Sequence, residues 1–126
     1  MDERAKIFEK CAEKLAGEWR MKINAATMLN QSKTAFQAEI DAACELIDFW
    51  KFNAYYAREF HEQYQPLISP EGNINTTDIR PLEGFVLAVT PFNFTSIAAN
   101  LPSAPAMVGC TALWKPSRNS YHSNYL

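Results

Sequence analysis

Glycine is scarce in this chain of 126 residues, with four in all, and nowhere do they form a Gly-rich dinucleotide fingerprint. By motif alone, then, a nucleotide site has little support. Apolar runs are short: none approaches the ~20 residues a membrane-crossing helix needs. Neither sign of charge dominates, with 12 Lys and Arg against 14 Asp and Glu for a net of −2, so there is no electrostatic ground for expecting nucleic acid or an anionic membrane as partner. The three cysteines, Cys11, Cys44 and Cys110, are odd in number and lack metal-ligand spacing. They read as reduced, mostly buried thiols of a non-secretory compartment, and no metal site is expected. The opening Met1-Asp2-Glu3-Arg4 has no signal-peptide core and is too acidic for a transit peptide. Asn75-Thr76-Thr77 fits a glycosylation acceptor, but without a secretory signal the match is idle. His122 has no cysteine or carboxylate near it in sequence and reads as a surface residue.

What is present is a composition that is 48% hydrophobic, enough for one modest domain. Ile7, Phe8, Cys11, Ala12 and Leu15 recur at helical spacing and predict a helix over 3–16, stopped by Gly17. Trp19, Ile23, Ala26 and Asn30 predict a second, ending near Gln31. Ser32 can cap a third and longest helix over 33–63. Its polar stripe runs Asp41, Glu45, Asp48, Lys51, Tyr55, Arg58 and Glu62, while Phe36, Ile40, Ala43, Ile47, Phe49, Trp50, Tyr56 and Phe60 cover the rest. So wide an apolar face implies burial against more than one neighbour. Two prolines and Gly72 over 65–73 mark a boundary between a helical segment, 1–70, and a β-containing segment, 71–126. Residues 74–80 predict a short polar strand paired with the start of the next.

The run Phe85-Val86-Leu87-Ala88-Val89 has the length and side-chain character of a strand buried on both faces, and Pro91 stops it. Asn93 then falls between strand and helix. Its amide either caps the helix or closes an Asx-turn, or points across the strand end toward an oxygen that becomes anionic. Pro102 and Pro105 predict a break near 101–104 in the helix that follows, with a last turn to Val108 and Gly109 as its end. A second short buried strand over 110–114 completes a β-α-β unit, whose crossover sets Thr90 and Lys115 on one edge. Beyond it, 118–126 predicts a cut-short, fraying helix.

The wording Arg80-Pro81-Leu82-Glu83-Gly84-Phe85, Thr90-Pro91-Phe92-Asn93-Phe94-Thr95 and Leu113-Trp114-Lys115-Pro116-Ser117 resembles the aldehyde dehydrogenase superfamily. Phe92-Asn93-Phe94-Thr95 and the upstream Gln37-Ala38-Glu39-Ile40-Asp41-Ala42-Ala43-Cys44-Glu45-Leu46-Ile47-Asp48-Phe49 are similar to its pyrroline-5-carboxylate dehydrogenase branch. The resemblance covers nearly the whole chain but only part of the family's length. It implies an α/β fold in a helix-rich partial chain: three helices leading into the first β-α-β of a Rossmann-like, NAD-binding domain that is incomplete over 71–126.

The same resemblance implies NAD as cofactor, with Lys115 on the adenosine ribose hydroxyls, Thr90 facing the cofactor and Ser117 beside its adenine end. Asn93 matches the residue whose amide stabilises the oxyanion when a cysteine thiolate attacks an aldehyde. Glu45 stands where that branch has a glutamate near the substrate, L-glutamate gamma-semialdehyde, in proline degradation. The family's nucleophilic cysteine and general-base glutamate correspond to stretches beyond Leu126. Cys110 is no substitute: it falls within the expected second strand and reads as an inert buried thiol. The mitochondrial matrix is the implied compartment, with the cytoplasm as the alternative for a chain carrying no targeting peptide. A non-catalytic protein that packs on a full-length subunit through the long helix and the sheet edge is the other reading. Either way the packing is expected to look incomplete, with Trp50 and Tyr56 unusually exposed.

Overall fold

The computed structural model describes residues 1–62 and 68–126, so the expected end of the third helix at Gln63 and the start of the proline-bearing connection lie outside the described residues. Helix α1 spans Asp2–Ala16, with Asp2 and Glu3 in its first turn and Lys14 in its last, the charge order a helix dipole favours. Gly17 ends it, donating its N–H to Glu13 O. Helix α2 spans Arg20–Gln31. Ser32 then takes a left-handed conformation, φ 53°, and closes α2. The cap of the next helix is therefore Thr34, whose hydroxyl accepts from Gln37 N at 3.2 Å while Gln37 Oε1 accepts from Thr34 N at 3.0 Å.

The expected long third helix is three pieces in line: α3 (Ala35–Ala38), a π-turn (Glu39–Cys44) and α4 (Glu45–Glu62). Where they join, Glu45 N–H donates to Ile40 O, five residues back. The inner face of this rod is rich in alanine. Ala42, Ala43, Leu46 and Ile47 pack with Ala12, Leu15 and Ile23. Ala54 and Ala57 pack with Ala5 and Met107. Alanines allow α1 and α4 to approach closely, and the Arg58 guanidinium clasps them by donating to both oxygens of Glu9, at 2.5 and 2.9 Å, and to Asp2 at 2.8 Å. The aromatics face outward: Phe52, Tyr55, Tyr56 and Phe60 are all exposed. Trp50, expected to be exposed as well, is half-buried against Phe8, with its indole N–H on Ser103 Oγ at 2.9 Å.

Strands β1 (Phe85–Val89) and β2 (Thr111–Lys115) pair in parallel, Phe85 opposite Thr111 and Val89 opposite Lys115. Helix α5 (Thr95–Met107) makes the crossover. Two strand expectations need correction. Residues 74–80 form no strand: they are mostly polar and largely exposed, and pair with no strand among the described residues. Nor are β1 and β2 buried on both faces. Helix α5 packs on this sheet, yet Phe85, Leu87, Val89 and Leu113 remain 62, 57, 58 and 56% exposed.

Helix α5 also runs through Pro102 and Pro105 without the expected break. Tertiary bonds outweigh the local cost: α4 reaches α5 at three levels, Glu45 to Ser96, Asn53 to Asn100 at 2.8 Å and Trp50 to Ser103. At its far end Gly109 turns with φ 97°, a left-handed value glycine accepts without strain. A Cβ there would meet the Arg4 guanidinium at 3.3 Å, and Arg4 Nε donates to Met107 O at 2.9 Å. The tail is docked rather than left as a free end. A 3-10 turn (Arg118–Ser120) and helix α6 (Tyr121–Tyr125) dock on α2, with Ser123 N donating to Asn30 Oδ1 at 3.2 Å.

Candidate functional site

Parallel strands joined by a crossover end on the same edge, and ligands of open α/β sheets gather there. In this chain the edge is closed by Thr90 N donating to Lys115 O at 3.2 Å. Thr90 and Lys115 are thereby neighbours, but their side chains differ. The Thr90 hydroxyl is buried and accepts from the Trp114 indole at 3.0 Å, keeping only its own O–H to give. Lys115 is exposed, and its ammonium has no partner among the described residues. Ser117 is half-buried and uses its backbone oxygen to start the turn at Ser120.

Pro91 ends β1, and a bend at Phe92 and Asn93 leads into α5. The N-cap of α5 is Phe94, which provides no side-chain cap. Asn93 is half-buried and its amide makes no hydrogen bond to any described residue, so neither of the two structural roles open to it, cap or Asx-turn, is taken. The residues around it are, by contrast, tied down. Thr95 Oγ1 shares a hydrogen bond with Thr27 Oγ1 at 2.9 Å and accepts from Gln31 Nε2 at 2.7 Å. Ser96 Oγ donates to Glu45 Oε2 at 2.7 Å. Lys33 Nζ sits 4.1 Å from the centre of the Phe94 ring and pairs with Asp41 Oδ2.

Five expected residues thus fall into two groups. Thr90, Lys115 and Ser117 belong to the strand edge, while Glu45 meets the first turn of α5 just after Asn93. The polar stripe is only partly solvated: Asp48 is exposed, but Asp41 and Glu45 are half-buried and occupied. Sequence reasoning missed Lys33, Ser96 and the Trp114 indole. Lys33 and Asp41 stand eight residues apart, two turns on one side, but Lys33 precedes the helix cap, so spacing could not flag the pair.

Just upstream, the π-turn carries its own charge cluster. Arg20 and Asn24 donate to the Glu39 carboxylate, Arg20 Nε at 2.7 Å, and Cys44 Sγ lies 3.5 Å from Glu39 Oε1. The Arg20 hydrogen bond holds the Glu39 carboxyl below its usual range. Burial first, and the Glu39 carboxylate second, push the Cys44 thiol up. All three cysteines are free and half-buried rather than buried. Cys110 precedes β2 at the sheet's other end, a strand length of roughly 16 Å from the Lys115 edge. His122 is exposed, as expected; it lines, with Trp114, Pro116, Tyr121, Asn124 and Tyr125, an apolar cleft of about 510 Å³. No helix of the described residues is long and apolar enough to cross a membrane, and no cluster among them could hold a metal ion.

Residues 1–126 match the family model described as the aldehyde dehydrogenase family. The delta-1-pyrroline-5-carboxylate dehydrogenase of Agaricus bisporus is 53% identical over 125 residues, 99% of this chain and 23% of that protein. The mitochondrial enzyme of that name from Homo sapiens is 53% identical over 123 residues, 98% of this chain and 22% of that protein. The crystal structure of the Delta-pyrroline-5-carboxylate dehydrogenase from Mycobacterium tuberculosis bound with NAD superposes with a TM-score of 0.88 at 61% identity, over 98% of this chain and 23% of that one. The chain spans less than a quarter of the length of these relatives.

Proposed function

The chain belongs to the aldehyde dehydrogenase family, and from that premise we propose that it is the segment of an NAD-dependent dehydrogenase that brings the cofactor edge to the oxyanion amide. The substrate we propose is L-glutamate gamma-semialdehyde, oxidised to glutamate, because relatives near 50% identity carry the pyrroline-5-carboxylate dehydrogenase name. One observation carries the reading: Asn93, its amide unspent on the fold, stands three residues after the strand edge that Thr90 and Lys115 close.

The residues present fit the cofactor. The exposed Lys115 ammonium has three donors for a pair of ribose hydroxyls, Ser117 lies two residues on, and Thr90 retains an O–H. NAD, when bound, supplies the hydride acceptor. The Asn93 amide donates to the aldehyde oxygen as that oxygen becomes anionic, a contribution of ~3–4 kcal/mol for one such donor. Glu45 Oε2 is held by Ser96, leaving Oε1 to accept from a substrate ammonium. The nucleophile comes from outside these residues. Cys44 is engaged with Glu39 and Arg20, and Cys110 lies at the wrong end of β2. The chain alone is accordingly expected to lack dehydrogenase activity. Relatives from Homo sapiens, Danio rerio and Mus musculus are named as mitochondrial, and we place this protein's work in the same compartment.

A second reading draws on the open sheet face. Parallel strands are ordinarily covered on both sides, and the bare Phe85, Leu87, Val89 and Leu113 suit a non-catalytic role in which that face packs on a full-length subunit. Calorimetric titration of NAD into the purified chain separates the two. Saturable binding that Lys115→Ala abolishes is the expected result. A folded chain that takes up no NAD would overturn the cofactor-edge reading and leave the packing role.

A further inference from the structure

Between Thr90, fixed by Trp114, and Thr95, fixed by Thr27 and Gln31, the bend that carries Asn93 has one side-chain tether from elsewhere in the described residues. That tether is Lys33 on the ring of Phe94. Its origin lies in the link between α2 and α3. Ser32 turns left-handed, Thr34 caps the next helix, and the residue between them is thrown across onto Phe94, the N-cap of α5. The Lys33 and Asp41 side chains are only 12 and 18% exposed, so this is an ion pair removed from most of the solvent. A cation there, 4.1 Å from the ring centre, attracts the ring face far more strongly than one in water. Asp41 in turn keeps the ammonium from leaving, since a lone buried charge on either side is costly.

We propose that Lys33, anchored by Asp41, is a positioning residue for Asn93: by pinning the Phe94 ring it fixes the backbone from which the Asn93 side-chain amide projects, without touching that amide. The value of that direction for catalysis rests on the oxyanion reading given above. The pinning itself does not. An oxyanion donor contributes only if its geometry is set before the charge develops, and Asn93 has no hydrogen bond of its own among the described residues to set it.

The test is made on the unliganded chain, by NMR relaxation of the Asn93 backbone amide, so neither NAD binding nor turnover enters. In the native chain its order parameter is expected near the ~0.85 of rigid backbone, falling toward or below ~0.6 in Lys33→Met. Lys33→Arg, which keeps a cation for both ring and carboxylate, is expected to restore it. Should Lys33→Met leave Asp41 unpaired and the chain unfolded, the double variant Lys33→Met, Asp41→Asn carries no lone charge and is expected to show the same loosening, as is Phe94→Leu with the ion pair intact. Rigidity retained at Asn93 in the double variant or in Phe94→Leu overturns the proposal, as does failure of Lys33→Arg to restore it. A chain that passes this test and still binds no NAD would fault the cofactor reading alone.

Discussion

Asn93 and Thr34 make a pair of opposite cases. Thr34 spends its hydroxyl on a capping box, and Thr34→Ala is expected to cost about 1 kcal/mol in urea unfolding. Asn93 has nothing to lose, and Asn93→Ala is expected to stay within ~0.5 kcal/mol of the native chain. A loss as large as that of Thr34→Ala would return Asn93 to a capping role. Cys44 offers a second check at this scale. With its thiol pushed up by burial and then by Glu39, its alkylation at pH 8 is expected to be slower than that of a free thiol in water. Glu39→Gln removes the second cause, leaves Arg20 nearby, and is expected to quicken the reaction in part. The place of Asn93 could be read from sequence, because Pro91 must end a strand and a helix must follow. Its freedom could not, since a cap and a free amide look alike as letters. Ser32 misled for a related reason: it is as good a cap residue as Thr34, and only its left-handed φ assigns it to the helix before.

Helix α5 shows where local propensity yields to packing. Pro102 and Pro105 each remove an N–H from its ladder, which is why a break was the sensible expectation. The side-chain bonds from α4 hold the helix together regardless. Replacing Pro102 by alanine returns one N–H while loosening the unfolded chain, so Pro102→Ala is expected to stabilise by a net of roughly 1–2 kcal/mol in urea unfolding. The strands teach the converse. Their position and parallel pairing followed from apolar runs and the crossover, whereas their burial did not, because an apolar run states what a strand would bury and not what is there to cover it. The π-turn left no mark of its own: Glu39–Cys44 has the same helical periodicity as its neighbours.

Across the whole molecule, a cluster of ion pairs lies over the alanine-lined seam that joins the first helix to the long one. Glu9 is held below its usual range chiefly by Arg58, and Asp2 by Lys6 and then Arg58. Carboxyls depressed in the fold stabilise it above their ordinary values, 4.5 for Glu and 3.8 for Asp, and that stability is lost as pH falls through the lower folded values. The urea midpoint is therefore expected to be flat from about pH 7 to 5 and to fall below about 4, with a shallower fall in Arg58→Met, where Glu9 loses its guanidinium. The latch at Gly109 carries a different consequence, one of time. Arg4 closes on Met107 across 103 residues of chain, and Ser123 on Asn30 across 93. Contacts so remote in sequence are slow to find, since the loop they close must lose its entropy before they reward it. On a ribosome the first helix emerges long before the carbonyl it must cap exists. The rest of that helix finds α4 as soon as Arg58 is made, but Arg4 must wait for nearly the whole of this segment before its own bond can close.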